Sequence, residues 1–122
     1  MSVFRAFELE AIRLLANQVL SVGQLQLLEA QAEFVSYDYS FGGYFLTVRH
    51  PSLPEKGHSI SKPAVFGESG DILVGFILFL GKHRLTLECH VWGPVDVPSD
   101  FRDREVEISV RPVNLIDFHH LP

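Results

Sequence analysis

The chain has 122 residues, 47% of them hydrophobic and ten of them Phe, and its 15 acids against 10 bases give a net charge of −5. That length is enough for one domain with a core of its own, and the lack of any Lys/Arg cluster argues against direct nucleic-acid binding, which depends on basic groups replacing counterions. The single cysteine, Cys89, excludes an internal disulfide and any zinc site built from several thiolates.

The first residues, MSVFRAFELEAIRLL, interleave charge with apolar groups, unlike a secretory leader. The longest uncharged apolar run, Ile72 to Leu80, is nine residues, far short of the roughly 20 that a membrane helix needs. A soluble, cytoplasmic protein is the expectation.

Over residues 3–18, Phe4, Phe7, Ala11, Leu14 and Leu15 form one stripe at helical spacing, with Ile12 close by and Arg5, Glu8 and Arg13 off it. Ser21 and Gln24 then have capping-box spacing. They predict a second helix over 22–32 with Leu25, Leu28 and Ala32 on one side. From Phe34 the period falls to two, and FVSYDYSFGGYFLTVRH reads as two strands joined across Gly42-Gly43, with Tyr37, Tyr39 and Phe41 on one face. HPSLPEKGHSISKP, residues 50–63, reads as an exposed loop crossing one end of the sheet. Ala64–Phe66 reads as a short edge strand, closed by turn residues 67–71.

Ile72–Leu80 has no polar position, so both of its faces are expected to be covered. A Gly81-Lys82-His83 turn leads into Arg84–Trp92. There the alternation puts Leu85, Leu87, Cys89 and Val91 inward and Thr86, Glu88, His90 and Trp92 outward. Residues 93–103 read as irregular. Val106, Ile108 and Val110 can face inward from a last strand, and the tail 111–122 has no clear period. The sum is a single domain over 1–122 of the α+β class. Two N-terminal helices pack on one mainly antiparallel sheet of about five strands, and short connections favour a meander.

Two stretches carry a likeness: VSYDYSFGGYF at 35–45 and GFILFLGKHRLTLEC at 75–89, followed by Trp92-Gly93, Pro98 and Phe101-Arg102. Together they resemble a set of small uncharacterised bacterial proteins with a Gly-Gly aromatic hairpin and a GF.LF..G.L.LE hairpin. The likeness spans roughly residues 34–108. It implies the same sheet and brings no catalytic residues with it. In build the chain also resembles immunity proteins of bacterial toxin systems.

No residue set makes a catalytic or cofactor motif. Cys89 and His90 are neighbours on a strand and so point to opposite faces, which bars a thiol–imidazole pair. His50, His58, His83 and His90 lack metal-ligand spacing, His119-His120 lie in the tail, and Gly42-Gly43 and Gly67–Gly70 lack the strand-to-helix setting of a phosphate loop. No metal or cofactor is expected. Glu88 and His90 share an outward face and are secondary candidates.

The strongest candidate is the segment 96–107, DVPSDFRDREVE, where Asp96, Asp100, Asp103, Glu105 and Glu107 outnumber Arg102 and Arg104. Trp92 stands upstream as an aromatic anchor. Acids beside an aromatic suit the capture of a basic partner. The expectation is a small non-enzymatic binding protein that acts by occlusion, such as an immunity protein neutralising a basic, nuclease-like toxin. The alternative is a stand-alone domain holding a small ligand under the 50–63 loop.

Overall fold

The computed structural model describes residues 3–111. The chain forms α1 (Ala6–Ala16), α2 (Val22–Ala30), β1 (Glu33–Ser40), β2 (Gly43–Arg49), β3 (His58–Ser69), β4 (Ile72–Gly81) and β5 (Arg84–Val91). A 3-10 turn at Phe101–Asp103 and β6 (Glu107–Arg111) follow. Residues 112–122, including His119 and His120, lie outside the described residues. None of the described helices is long and apolar enough to cross a membrane.

The class is α+β, with two helices and one antiparallel sheet in the order β1-β2-β5-β4-β3-β6. Six strands are present among the described residues where about five were expected. The difference lies in β3. Residues 58–69 form one twelve-residue strand flanked by β4 and β6, where a loop ending in a short edge strand was predicted. Polar residues and Pro63 hide its first half, and a β-bulge between Ile60 and Val65 absorbs that irregular stretch. The order is also no simple meander. β2 pairs with β5, so the 50–57 connection crosses the sheet end to start β3. This puts the most apolar hairpin, β4–β5, at the centre of the sheet.

α1 supplies the covering layer. It buries Phe7, Leu9, Ala11, Ile12, Leu15 and Ala16 and packs on β3, β4 and β6. α2 opens with the expected capping box: the Gln24 N–H donates to Ser21 Oγ at 3.1 Å, and the Ser21 N–H donates to Gln24 Oε1 at 2.8 Å. Only Leu28 of this helix is fully buried, and Gln24 Nε2 donates to the Ser52 carbonyl at 2.6 Å, tying α2 to the 50–57 connection.

On the helix side of the sheet Leu46, Leu78, Leu85 and Leu87 are all at 0% exposure. Each fully buried leucine contributes about 1.5–3 kcal/mol. Cys89 lies among them at 1%, inward as its alternation predicted, and burial pushes its thiol upward. The other face of β4 is a correction. Leu73, Ile77 and Phe79 are half-buried, because no second layer lies over them among the described residues. Val110 is a second correction. Val106 and Ile108 pack against the core, but Val110 is 46% exposed, since the edge strand runs past its cover.

Glu8 is 0% exposed, although the helical stripe places it with the solvent-facing residues. Arg102 Nε donates to its Oε2 at 2.8 Å and Arg102 Nη2 to its Oε1 at 2.7 Å. The Arg5 N–H adds a third bond at 2.7 Å, and the Tyr44 hydroxyl a fourth. Arg102 Nη2 also donates to the Val3 carbonyl at 2.9 Å, and its guanidinium lies 5.5 Å from the Tyr37 ring centre. Burial works against the Arg102 charge, yet the hydrogen bonds and charge of Glu8 outweigh it and hold the guanidinium above its usual range. A buried bidentate pair with its remaining lone pairs satisfied is stable only as a complete unit. This unit joins α1, β2 and the 3-10 turn, and so fixes where the 93–106 segment runs.

Candidate functional site

The 93–106 segment is irregular but firmly seated. Val97 at 0% and Phe101 at 1% exposure are its anchors, with Phe101 edge-on to Phe7 at 5.9 Å. The Val97 N–H donates to the Phe41 carbonyl at 2.8 Å, and the Tyr39 hydroxyl donates to the Val97 carbonyl. With Val97 and Phe101 turned inward, its acids are left on the surface. Arg102 is turned inward too, which removes a cation from the surface charge of this end.

The five predicted acids are not equivalent. Asp100 pairs with Arg104 at 3.2 Å and Asp103 with Arg5 at 3.1 Å, both in exposed positions where such pairs add little stability. Asp96, Glu105 and Glu107 have no ion-pair partner among the described residues. Glu107 stands opposite Glu68 across β3 and β6, and Glu68 is held by Arg111 at 2.9 Å. Asp103, Glu105, Glu107 and Glu68 line an open cleft of about 760 Å³ together with Arg102 and Arg104, with Arg5 and Phe7 on its α1 side.

Trp92 lies elsewhere. It follows β5 on the uncovered face of the sheet, 45% exposed, and does not line that cleft. Its ring meets Phe66 edge-on at 5.3 Å and lies 6.2 Å from the His90 ring. Arg111 stacks on Phe66 at 4.9 Å, and this cover leaves Phe66 only 4% exposed. The predicted partner-binding set therefore divides between two adjoining surfaces, Trp92 on the sheet face and the acids at its end.

Gly75 is what allows Trp92 and His90 to lie flat. A Cβ at this position would come within 2.5 Å of Trp92 Nε1 and 2.9 Å of His90 Nε2. Beside them, where the β3 bulge opens the sheet, is a hollow of about 120 Å³ lined by Ser61, Phe66, Ile77, His90 and Trp92. It has room for on the order of four waters, or one medium side chain.

Glu88 and His90 share the outer face as predicted. The His90 Nδ1 lies 3.3 Å from Glu88 Oε2 but makes no well-formed hydrogen bond, and it is a buried polar atom left without one. Glu88 registers with Phe45, which is 45% exposed, and with Ile77. A half-buried carboxylate and imidazole thus sit on the outer face beside Phe45 and Ile77, with the Thr47–Thr86 hydroxyl pair two residues along. Cys89 faces the core on the other side of the same strand, so its thiol does not accompany them. Among the described residues no group of three or more His, Cys, Asp or Glu could hold a metal ion.

The uncovered face and the cleft were only partly foreseeable. Alternation in β5 located Glu88, His90 and Trp92. The cleft depends on the β3–β6 pairing and on the inward turn of Arg102, neither of which has a local signal. No protein-family model, curated protein or solved structure matches the chain, so the site rests on its own chemistry.

Proposed function

We propose that the chain is a non-catalytic binding protein that takes a basic protein partner across its acidic end and the adjoining sheet face, and acts by occluding that partner. One observation carries the reading: a sheet face with no covering layer among the described residues, with Phe45 and Trp92 each 45% exposed, borders a cleft whose Glu105 and Glu107 have no ion-pair partner among the described residues. A face of this kind supplies the buried anchor, and the acidic margin supplies steering and choice of partner. A basic side chain entering the hollow beside Trp92 would meet an aromatic ring and, one residue pair away, the Glu88 carboxylate. The inward turn of the Cys89 thiol favours binding over thiol chemistry at this face. The partner we favour is a basic, nuclease-like toxin, in keeping with the likeness in build to immunity proteins.

The test is co-expression of the tagged chain with the product of the adjacent gene. A stoichiometric complex is expected, with any toxicity of that product suppressed. Trp92→Ala should weaken it about 30-fold, the scale of a 2 kcal/mol hot spot. Glu105→Lys combined with Glu107→Lys should slow association and flatten its salt dependence. Gly75→Ala should leave the fold intact but dislodge Trp92, with a shift in its fluorescence and a similar loss of binding. A chain that purifies alone, or a complex indifferent to Trp92 and to both glutamates, would sink this reading.

A further inference from the structure

The opposite end of the sheet carries a feature that partner capture does not use. Gly81 and Arg84 are paired, so Lys82 and His83 alone make the β4–β5 turn. Their φ angles are 54° and 60°, both in the left-handed region. Two-residue hairpins of this hand favour Asn-Gly or Asp-Gly, because other side chains crowd their own backbone there. Strain of this kind persists only when the surroundings impose it, and it concentrates at functional sites.

The surroundings here do impose it. The Lys82 N–H donates to the Glu55 carbonyl at 2.8 Å, the His83 N–H to the Pro54 carbonyl at 3.0 Å, and the His50 N–H to the His83 carbonyl at 3.0 Å. The 50–57 connection is itself tied down through Leu53, which is 2% exposed. The result is an open pocket of about 430 Å³ lined by Arg49, His50, Lys82 and His83 together with Gln31 and Glu33. Its one acid, Glu33, is already neutralised by Arg49 at 2.7 Å. Lys82 has no ion-pair partner among the described residues.

The two imidazoles are oriented. The Ser52 N–H donates to His50 Nδ1 at 3.1 Å, so the neutral ring carries its proton on Nε2 and presents a donor there. The His83 Nδ1 bonds the Leu53 carbonyl at 2.8 Å and must be the donor, which fixes the ring beside the turn. Fixed donors, a free ammonium and a guanidinium around one hollow suit a compact oxyanion. The volume falls within the range of small-ligand sites.

We infer that the pocket between the Lys82-His83 turn and the 50–51 segment is a binding site for a phosphate group, as inorganic phosphate or as the phosphate of a small monoester. Lys82 supplies the charge, Arg49 and His50 Nε2 supply directed donors, and the left-handed turn aims Lys82 and His83 at the anion. The site is independent of the partner-binding face.

The test is titration of the full-length chain with inorganic phosphate, pyrophosphate and a nucleoside monophosphate at constant ionic strength, followed by calorimetry and by the His ring resonances in NMR. Saturable binding with shifts at His50 and His83 is expected, and comparison of the three probes tells free phosphate from monoester. Lys82→Asn combined with His83→Gly gives the turn its preferred residues. It should raise the Tm by several degrees and weaken binding at least tenfold. Lys56→Ala removes an exposed cation from the same loop without touching the pocket, and should bind as the unaltered chain does. The inference is overturned by no saturable binding up to roughly 10 mM, a concentration beyond any useful site's dissociation constant. It is overturned equally by a turn variant that gains stability with affinity unchanged, or by Lys56→Ala weakening binding as much as the turn variant.

Discussion

Replacing Arg102 with Met tests the buried lock on α1. The variant keeps most of the side chain's volume and removes the cation. Glu8, at 0% exposure, would lose both guanidinium bonds, at 2.8 and 2.7 Å, and keep only the Arg5 N–H and the Tyr44 hydroxyl. Stranding one partner of a buried pair costs about 3–5 kcal/mol. Two surviving donors put the expectation near the lower figure, and the lost bond to the Val3 carbonyl works the other way. At roughly 4 °C per kcal/mol for a domain of this size, the Tm should fall by about 12–20 °C. Urea unfolding followed by circular dichroism would show the midpoint move at constant slope. The triple variant Glu8→Met, Tyr44→Phe and Arg102→Met replaces the whole cluster with apolar groups and should recover most of the loss. A loss below about 1 kcal/mol for Arg102→Met alone would refute the view that this pair holds the helix to the sheet.

Two further outcomes follow from single positions. Burial raises the Cys89 thiol, so the folded state holds that proton where the unfolded chain releases it near pH 8.5. Stability from this group is fully present below that pH and declines as pH rises above it. Cys89→Ala should remove that part of the alkaline slope in urea titrations, and an unchanged slope between pH 8 and 9.5, before the tyrosines contribute, would count against it. Gly43 begins β2 at φ 147°, and a Cβ there would lie 1.9 Å from the Cys89 carbonyl oxygen. Gly43→Ala should therefore cost on the order of 3 kcal/mol, while Gly42→Ala, with no crowding side-chain or backbone atom inside 4.0 Å, should stay within about 0.5 kcal/mol; equal effects would contradict the register.

What could be read from the chain beforehand was whatever repeats locally. The β4–β5 hairpin, the α2 capping box and the inward position of Cys89 all express a period or a turn visible within a few residues. β3 escaped because its first half reads as loop. Ser59, Ser61, Lys62 and Pro63 mask a strand whose pairing comes from Phe79 and Leu80 of β4. Glu8 escaped for the opposite reason. A helix stripe treats an acid as solvent-facing, and its burial is made tolerable chiefly by groups far along the chain, Tyr44 and Arg102, the latter 94 residues away. The same pairing changed the predicted acidic segment, since a cation counted at its surface is spent inside. The Lys82-His83 turn was plain as a turn, but no periodicity reveals that both residues take left-handed backbone or that His50 folds back beside them.

The link between Glu8 and Arg102 also bears on how the chain is made. Glu8 of α1 is synthesised 94 residues ahead of its counter-ion, Arg102. At about 5–20 residues per second, the helix waits roughly 5–20 s with its acid unmatched. During that time the local β4–β5 hairpin has ample opportunity to form, since hairpins close in microseconds. Docking of α1 is thereby deferred until Arg102 has been made. A product cut short before Arg102 would carry the sheet's centre with its helix undocked and its inner face open, a ready substrate for proteases. Closure of the core over Glu8 is in this way tied to the arrival of Arg102.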